Sequence, residues 1–150
     1  MAPDSLWITS ILRGSIGLMD SAERMKHLEM IQAVISRLAN NSFTIKGWGL
    51  TVVSAMFALG AAKDGNPRML IVALIPALAF GLLDAYYLWL ERIWRGHYSR
   101  VRLAPDDYPF DMKINDLKKI EHPLETLLRP AIWGFWGPVI AACVAGWRTL

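Results

Sequence analysis

Residues 69 to 90, MLIVALIPALAFGLLDAYYLWL, form an apolar run of twenty-two residues that passes without a break signal into the basic continuation ERIWRGHYSRVR. At a rise of about 1.5 Å per residue, such a run covers the hydrocarbon core of a bilayer. A membrane-spanning helix that drives straight into a charged arm is therefore expected from Met69 to Arg102. The run holds one ionisable side chain, Asp84, placed past its centre toward the arginines. A carboxylate at that depth costs roughly 2.5 to 3.5 kcal/mol and normally faces protein or water instead of lipid.

Composition agrees with membrane insertion. Hydrophobic residues make up 54% of 150 residues, more than an ordinary soluble domain of this size carries in such long runs. The net charge of +3 is mild, and the basic residues sit beside apolar segments, so topology is read from them before nucleic-acid affinity. A single cysteine, Cys143, excludes an internal disulfide framework and thiol-rich metal sites. The opening MAPDSLWITSILRG lacks the charge order of a signal peptide, so the first span is expected to act as the insertion signal.

Residues 1 to 19 carry apolar side chains around Arg13 and suit a membrane surface, a docked position or disorder. A helix is expected to start at Asp20, with Glu23 completing a capping box, and to run to about Asn40. Its Met25, Leu28, Ile31, Ile35 and Leu38 recur at three- and four-residue steps, an apolar stripe that needs a partner. Asn40, Asn41 and Ser42 are read as its break. The first span follows over 47 to 62, with Lys46 snorkelling to the headgroups and Trp48 in an aromatic belt.

KDGNPR then reads as a tight turn, which makes the first two spans an antiparallel hairpin. The second span, 69 to 90, contains Pro76 as a possible kink site, and its helical continuation stops before Pro105. A turn rich in Pro and Asp leads to a short amphipathic helix, with Ile114, Leu117, Ile120, Leu124 and Leu127 on its apolar side and Pro123 as its split. The third span, 130 to 147, has no charge and carries Trp133, Trp136 and Trp147 as belt candidates; its Gly and Pro content also suits a re-entrant or kinked segment.

The organisation expected is thus a region 1 to 46, a transmembrane hairpin 47 to 90, a basic and amphipathic segment 91 to 129, and a third span with its tail, 130 to 150. Lys and Arg number five before the first span, two in the hairpin turn, eight between spans two and three, and one after the third. The positive-inside rule places the N-terminus and the 91 to 129 segment in the cytoplasm and the C-terminus outside. The fold class is an all-α membrane protein with three transmembrane helices and cytoplasmic amphipathic helices.

Three features of the second helix invite functional readings. Ala73, Ala77, Gly81 and Ala85 repeat every four residues, and Gly137, Ala141 and Ala145 repeat the device in the third span. Small residues let helix backbones approach closely in lipid, so these stripes serve either packing within the chain or homo-oligomeric assembly. Asp84, Tyr87, Glu91 and Arg95 share a stripe that suits either a structural ion pair with Lys46 or Arg92, or the inner vestibule and gate of a pore. Arg92, Arg95, Arg100 and Arg102, interleaved with Trp94, His97 and Tyr98, suit phosphate contact and base stacking, and equally suit anchoring against anionic lipid. Scattered histidines and the lack of a nucleophile beside a base argue against an enzyme, and no metal or cofactor is expected.

Two blocks, KHLEMIQAVISRLANNSFTIKGWGLTVVSAMFALGAAKD and LLDAYYLWLERIWRGHYSRVR, resemble a family of small bacterial inner-membrane proteins, with HLEMIQ, NSF-x-x-KGW and LDAYYL-x-x-ER as the most specific words, over roughly residues 26 to 102. Small proteins of this architecture resemble the membrane effectors of nucleotide-signalling anti-phage systems, in particular the Hailong-type ion channel held shut by a DNA oligomer that a partner nucleotidyltransferase makes. The resemblance implies an inner-membrane, homo-oligomeric pore, with a tetramer as the guess. It also implies gating by a nucleotide or single-stranded DNA oligomer and depolarisation of the membrane in antiviral defence. A non-conducting scaffold that recruits a cytoplasmic partner is the alternative.

Overall fold

The computed structural model describes residues 5–62, 64–103, 112–120 and 123–149, with side chains from residue 21 onward except those of 117, 119 and 120. Among these residues the regular structure is entirely helical: α1 Ser5–Ala61, α2 Arg68–Val72, α3 Leu74–Leu103, α4 Asn115–Ile120, α5 Pro123–Leu127 and α6 Pro130–Thr149. Three stretches, Ser21–Ala61, Arg68–Leu103 and Pro130–Thr149, are long and apolar enough to cross a membrane. Their apolar side chains point outward in bands, with Phe43, Trp48, Leu59, Ile75, Leu82 and Trp133 all exposed.

The first difference from expectation is α1 itself. No helix starts at Asp20 and none ends at Asn40 to Ser42, because one helix of 57 residues runs through both places. Asn and Ser lower helix propensity by at most about 0.7 kcal/mol each, and continuous packing along α3 outweighs that. The Ser42 hydroxyl is also drawn away from its own backbone, since it donates to Asp84. The expected boundaries at 46 and 90 accordingly fall inside helices. The backbone of residues 5 to 19 belongs to α1, which is not the disordered alternative, while the side chains that would dock or meet a membrane surface lie outside the described set.

α1 and α3 pair as a long antiparallel hairpin. Gly60 packs on Leu70 at one end, Val53 on Ala73 and Ala77 further along, and Ile31 and Ile35 on Val101 at the other. The stripe at Ile31, Ile35 and Leu38 is buried, so the partner it needs is α3, while Met25 is turned outward. The imidazoles of His27 and His97 meet at 6.0 Å between ring centroids, with Trp94 5.7 Å from His97. At the tip, Arg24 donates to the carbonyls of Val101 and Arg102, both at 2.9 Å, and caps the C-terminal end of α3 with a cation, as the helix dipole favours.

The turn closes as its residues predict: Gly65 N–H donates to the Ala62 carbonyl, and Asn66 Oδ1 accepts from the Arg68 N–H at the start of α2. The run from Met69 is interrupted at Ala73, which keeps right-handed helical angles between α2 and α3. Pro76 is the cause, since it has no N–H for the Val72 carbonyl and its ring crowds that oxygen. α6 is one continuous helix of twenty residues with Pro138 inside it, long and apolar enough to cross a membrane. It packs its Trp136 and Ile132 near Ala85, and Gly146 near Phe57 and Leu70, so it runs parallel to α1. Pro123 begins α5, as expected; of the expected apolar side Leu127 is half-buried against the Ala85, Ile132 and Trp136 cluster, Leu124 is exposed with Thr126 buried in its place, and Leu117 and Ile120 lie outside the described side chains.

Glycines mark the closest approach. A Cβ on Gly49 would sit 2.5 Å from the Trp136 ring and 3.0 Å from Phe80 Cβ, whereas one on Gly47 would meet nothing within 4 Å. Gly49→Ala is therefore expected to destabilise the folded chain in detergent by about 1 to 3 kcal/mol through overpacking. Gly47→Ala is expected to be neutral or to stabilise it by up to about 1 kcal/mol. Thermal unfolding of the two variants side by side checks the contrast.

Candidate functional site

The most specific chemistry in the described chain is at Asp84, whose side chain is completely buried, 0% exposed. Its Oδ1 accepts from the Ser42 hydroxyl at 2.5 Å and from the Lys46 ammonium at 2.6 Å, and Lys46 also donates to Ser42 Oγ at 3.0 Å. Its Oδ2 accepts from the Trp136 indole N–H at 3.0 Å. Ser42 and Lys46 lie four residues apart on α1 and so share a face, while Asp84 comes from α3 and Trp136 from α6. One carboxylate thus ties together the three helices long enough to cross a membrane.

Magnitudes explain why a charge is tolerated here. Each hydrogen bond to a charged group is worth about 1.5 to 3 kcal/mol, so three of them exceed the roughly 2.5 to 3.5 kcal/mol of placing a carboxylate at that depth. Lys46 completes the balance, with its side chain 21% exposed and its ammonium 5.9 Å from the Phe135 ring centroid. Trp136 lies six residues into α6, about 9 Å from its start, which sets the depth of the clasp.

These contacts correct two expectations, for Lys46 and Trp136, and match one of the two alternatives given for Asp84 and for the small-residue stripe. Lys46 turns inward to the acid and does not reach for headgroups. Trp136 is buried and belongs to no belt, unlike the exposed Trp133 and Trp147. Asp84 faces the interior of the bundle and is closed off from any vestibule by Ser42, Lys46 and Trp136. The stripe Ala73, Ala77, Gly81 and Ala85 is buried inside the chain, with Gly81 against the Trp136 ring, so it is not an outward assembly face. On α6, Ala141 and Ala145 are exposed and Gly137 is half-buried, so that part of the small-residue pattern does remain on the outside.

The rest of the α3 stripe lies beyond the clasp. Tyr87 is half-buried, its ring 5.8 Å from that of Tyr86. Glu91 is buried and pairs with the exposed Arg95, Nη2 to Oε1 at 2.6 Å, as an i,i+4 ion pair. The four arginines do not form one cluster. At about 100° per residue, Arg92, Arg95 and Arg102 fall with Ser99 on one face, and Arg100 is turned about 140° from Arg95. Arg95, Ser99 and Arg102 are exposed, and Arg92 is half-buried.

Sequence reasoning missed Ser42 and Trp136 as site residues. The available signal for Ser42 was its spacing to Lys46, since a hydroxyl and an ammonium on one face beneath an apolar span call for an acid. Among the described residues no group of three or more His, Cys, Asp or Glu side chains is placed to hold a metal ion. No protein-family model, curated protein or solved structure matches the chain, so the chemistry of the clasp rests on its own geometry.

Removing one partner of a buried pair leaves the other uncompensated. Lys46→Met is expected to cost about 3 to 5 kcal/mol, and combining it with Asp84→Asn to recover part of that loss. Trp136→Phe keeps the ring and loses one donor, an expected cost of about 1 to 3 kcal/mol. A double-mutant cycle on unfolding in detergent measures the coupling directly; additive losses would contradict a shared clasp.

Proposed function

We propose that the chain is the subunit of a homo-oligomeric pore in a bacterial inner membrane, opened or closed by an anionic cytoplasmic ligand, with depolarisation as its output in antiviral defence. The observation that carries this reading is the continuity of α3, a single helix from the apolar region beside α6, through Asp84, to the exposed arginines at its basic end. A nucleotide or short DNA oligomer on Arg95, Ser99 and Arg102, with Arg92 beside them, acts on the same rigid element that carries the clasp. Differential affinity for two arrangements of that helix is all that gating requires. The positive-inside rule supports a cytoplasmic location for this basic end.

The interior of a single bundle is filled by Val53, Ala73, Ala77, Cys143 and Trp136, so the conducting path of this proposal lies between copies. Asp84 acts in it as the clasp that holds each subunit in one state. Lipid surrounds the assembly, and a partner nucleotidyltransferase supplies the ligand.

A second reading, a non-conducting scaffold, is favoured by one observation: Met25 and Met30 stand exposed on the part of α1 that pairs with the basic end of α3. Flexible thioethers suit adaptable protein contacts. A scaffold gives stable partner capture and no current.

Expression of the wild-type chain is expected to depolarise cells in a ligand-dependent way, and purified protein to make liposomes leaky. Arg95→Glu with Arg102→Glu is expected to weaken ligand response about tenfold or more, as for the loss of about 1.4 kcal/mol of charge-assisted contact, with Arg100→Glu having the smaller effect. Depolarisation unchanged by Asp84→Ala and by reversal of all four arginines removes the site assignments; absence of conductance in liposomes removes the pore.

A further inference from the structure

Two apolar grooves open on the outside of the bundle. One, of about 280 Å³, lies between α1 and α6 along Leu50, Phe57 and Cys143, with no basic residue in its lining or next to it in sequence. The other, of about 200 Å³, lies between α3 and α6, along Leu78 and Leu82 on one side and Trp133 and Trp136 on the other, and its end is formed by Leu127 and Leu128. It is larger than the roughly 150 Å³ apolar cavity that takes up benzene. The walls are apolar throughout, so an aqueous ligand gains nothing from it.

Its placement specifies the occupant. Along α6 the groove runs from Ile132 to Ile140, about 12 Å parallel to the span, beginning where α5 meets the start of the helix. Arg129 follows Leu128 at that end, and it is exposed, with its backbone carbonyl bound by the N–H groups of Ile132 and Trp133. α6 is twenty residues long, about 30 Å, the thickness of a bilayer core, so a bilayer matched to it has its headgroups at the level of Arg129, next in chain to Leu128 at the end of the groove. Trp133, exposed beside it, has the amphipathic ring that favours this level. A cation at the mouth and a hydrocarbon slot beneath it complement one molecule, a lipid with an anionic head.

We propose that the α3–α6 groove holds one acyl chain of an anionic phospholipid whose headgroup phosphate pairs with Arg129. The site rests on the membrane placement of the three spans and is independent of conduction. Its chain packs against the ring of Trp136, the residue whose N–H closes the Asp84 clasp, so the lipid is a component of the folded bundle and positions that donor.

The test uses the whole chain reconstituted in equimolar phosphatidylglycerol and phosphatidylcholine vesicles, with dibrominated acyl chains on one lipid or the other as quencher of tryptophan fluorescence. Flotation of the protein with the vesicles first establishes insertion, and failure there counts against the membrane reading itself. The expected result is about fivefold stronger association of brominated phosphatidylglycerol, the effect of one basic residue at an anionic headgroup. That selectivity disappears in Arg129→Gln, and the selective quenching falls in Leu82→Phe, which fills the groove from its lipid-facing side. Leu78→Phe repeats the filling, and far-ultraviolet circular dichroism shows that each variant remains helical. Equal quenching by the two lipids in the wild type overturns the anionic assignment, and selectivity unchanged by both Phe variants overturns the groove. Selective quenching that is lost as the protein-to-lipid ratio rises identifies a second copy as the occupant and overturns the lipid.

Discussion

A carboxylate buried among apolar helices has to be held by donors, and that requirement shapes the whole chain. Asp84 takes hydrogen bonds from Ser42, Lys46 and Trp136, which come from two other helices. Apolar contacts in lipid are weakly directional, since the surrounding tails compete on equal terms with side chains. The clasp therefore gives the bundle its register. Gly49 and Gly81 then let Trp136 sit close enough for its N–H to reach the acid.

Around that point the chain divides its labour by helix. α6 is short and starts near the apolar boundary, whereas α1 and α3 continue together past that start and bury Ile31, Ile35, Val101 and two imidazoles in a second core. Arg24 completes the far end by holding the last carbonyls of α3. The apolar bundle and the basic hairpin thus share two unbroken helices and have no linker between them.

Much of this was legible in order and composition. The three apolar runs, the Asp-Gly-Asn-Pro turn and the helical continuation to about Arg102 follow from hydropathy and turn chemistry, and the structure has all of them in helices and a turn, although the expected span boundaries at 46 and 90 fall inside helices. The path of α1 through Asn40, Asn41 and Ser42 was hidden, because local propensity speaks only for an isolated helix and not for one packed along its length. The inward turn of the small-residue stripe was also hidden: spacing shows that a backbone can approach, and nothing in spacing says which backbone. Asp84 itself was conspicuous, but two of its partners, Ser42 and Trp136, read locally as a helix breaker and a belt residue, and their roles exist only once three segments meet.

The length of the shared helices has a mechanical side. From Ser42 to Arg24 the paired helices extend about 27 Å from the clasp as a stiff arm. A tilt of about 10° at the clasp displaces the arm's tip by about 5 Å, close to one turn of helix. Leverage of this kind runs in both directions: a force at the tip would act on the Asp84 clasp with the whole length of the arm behind it, and a tilt of that size from repacking beside Trp136 would move the tip far enough to remake a contact.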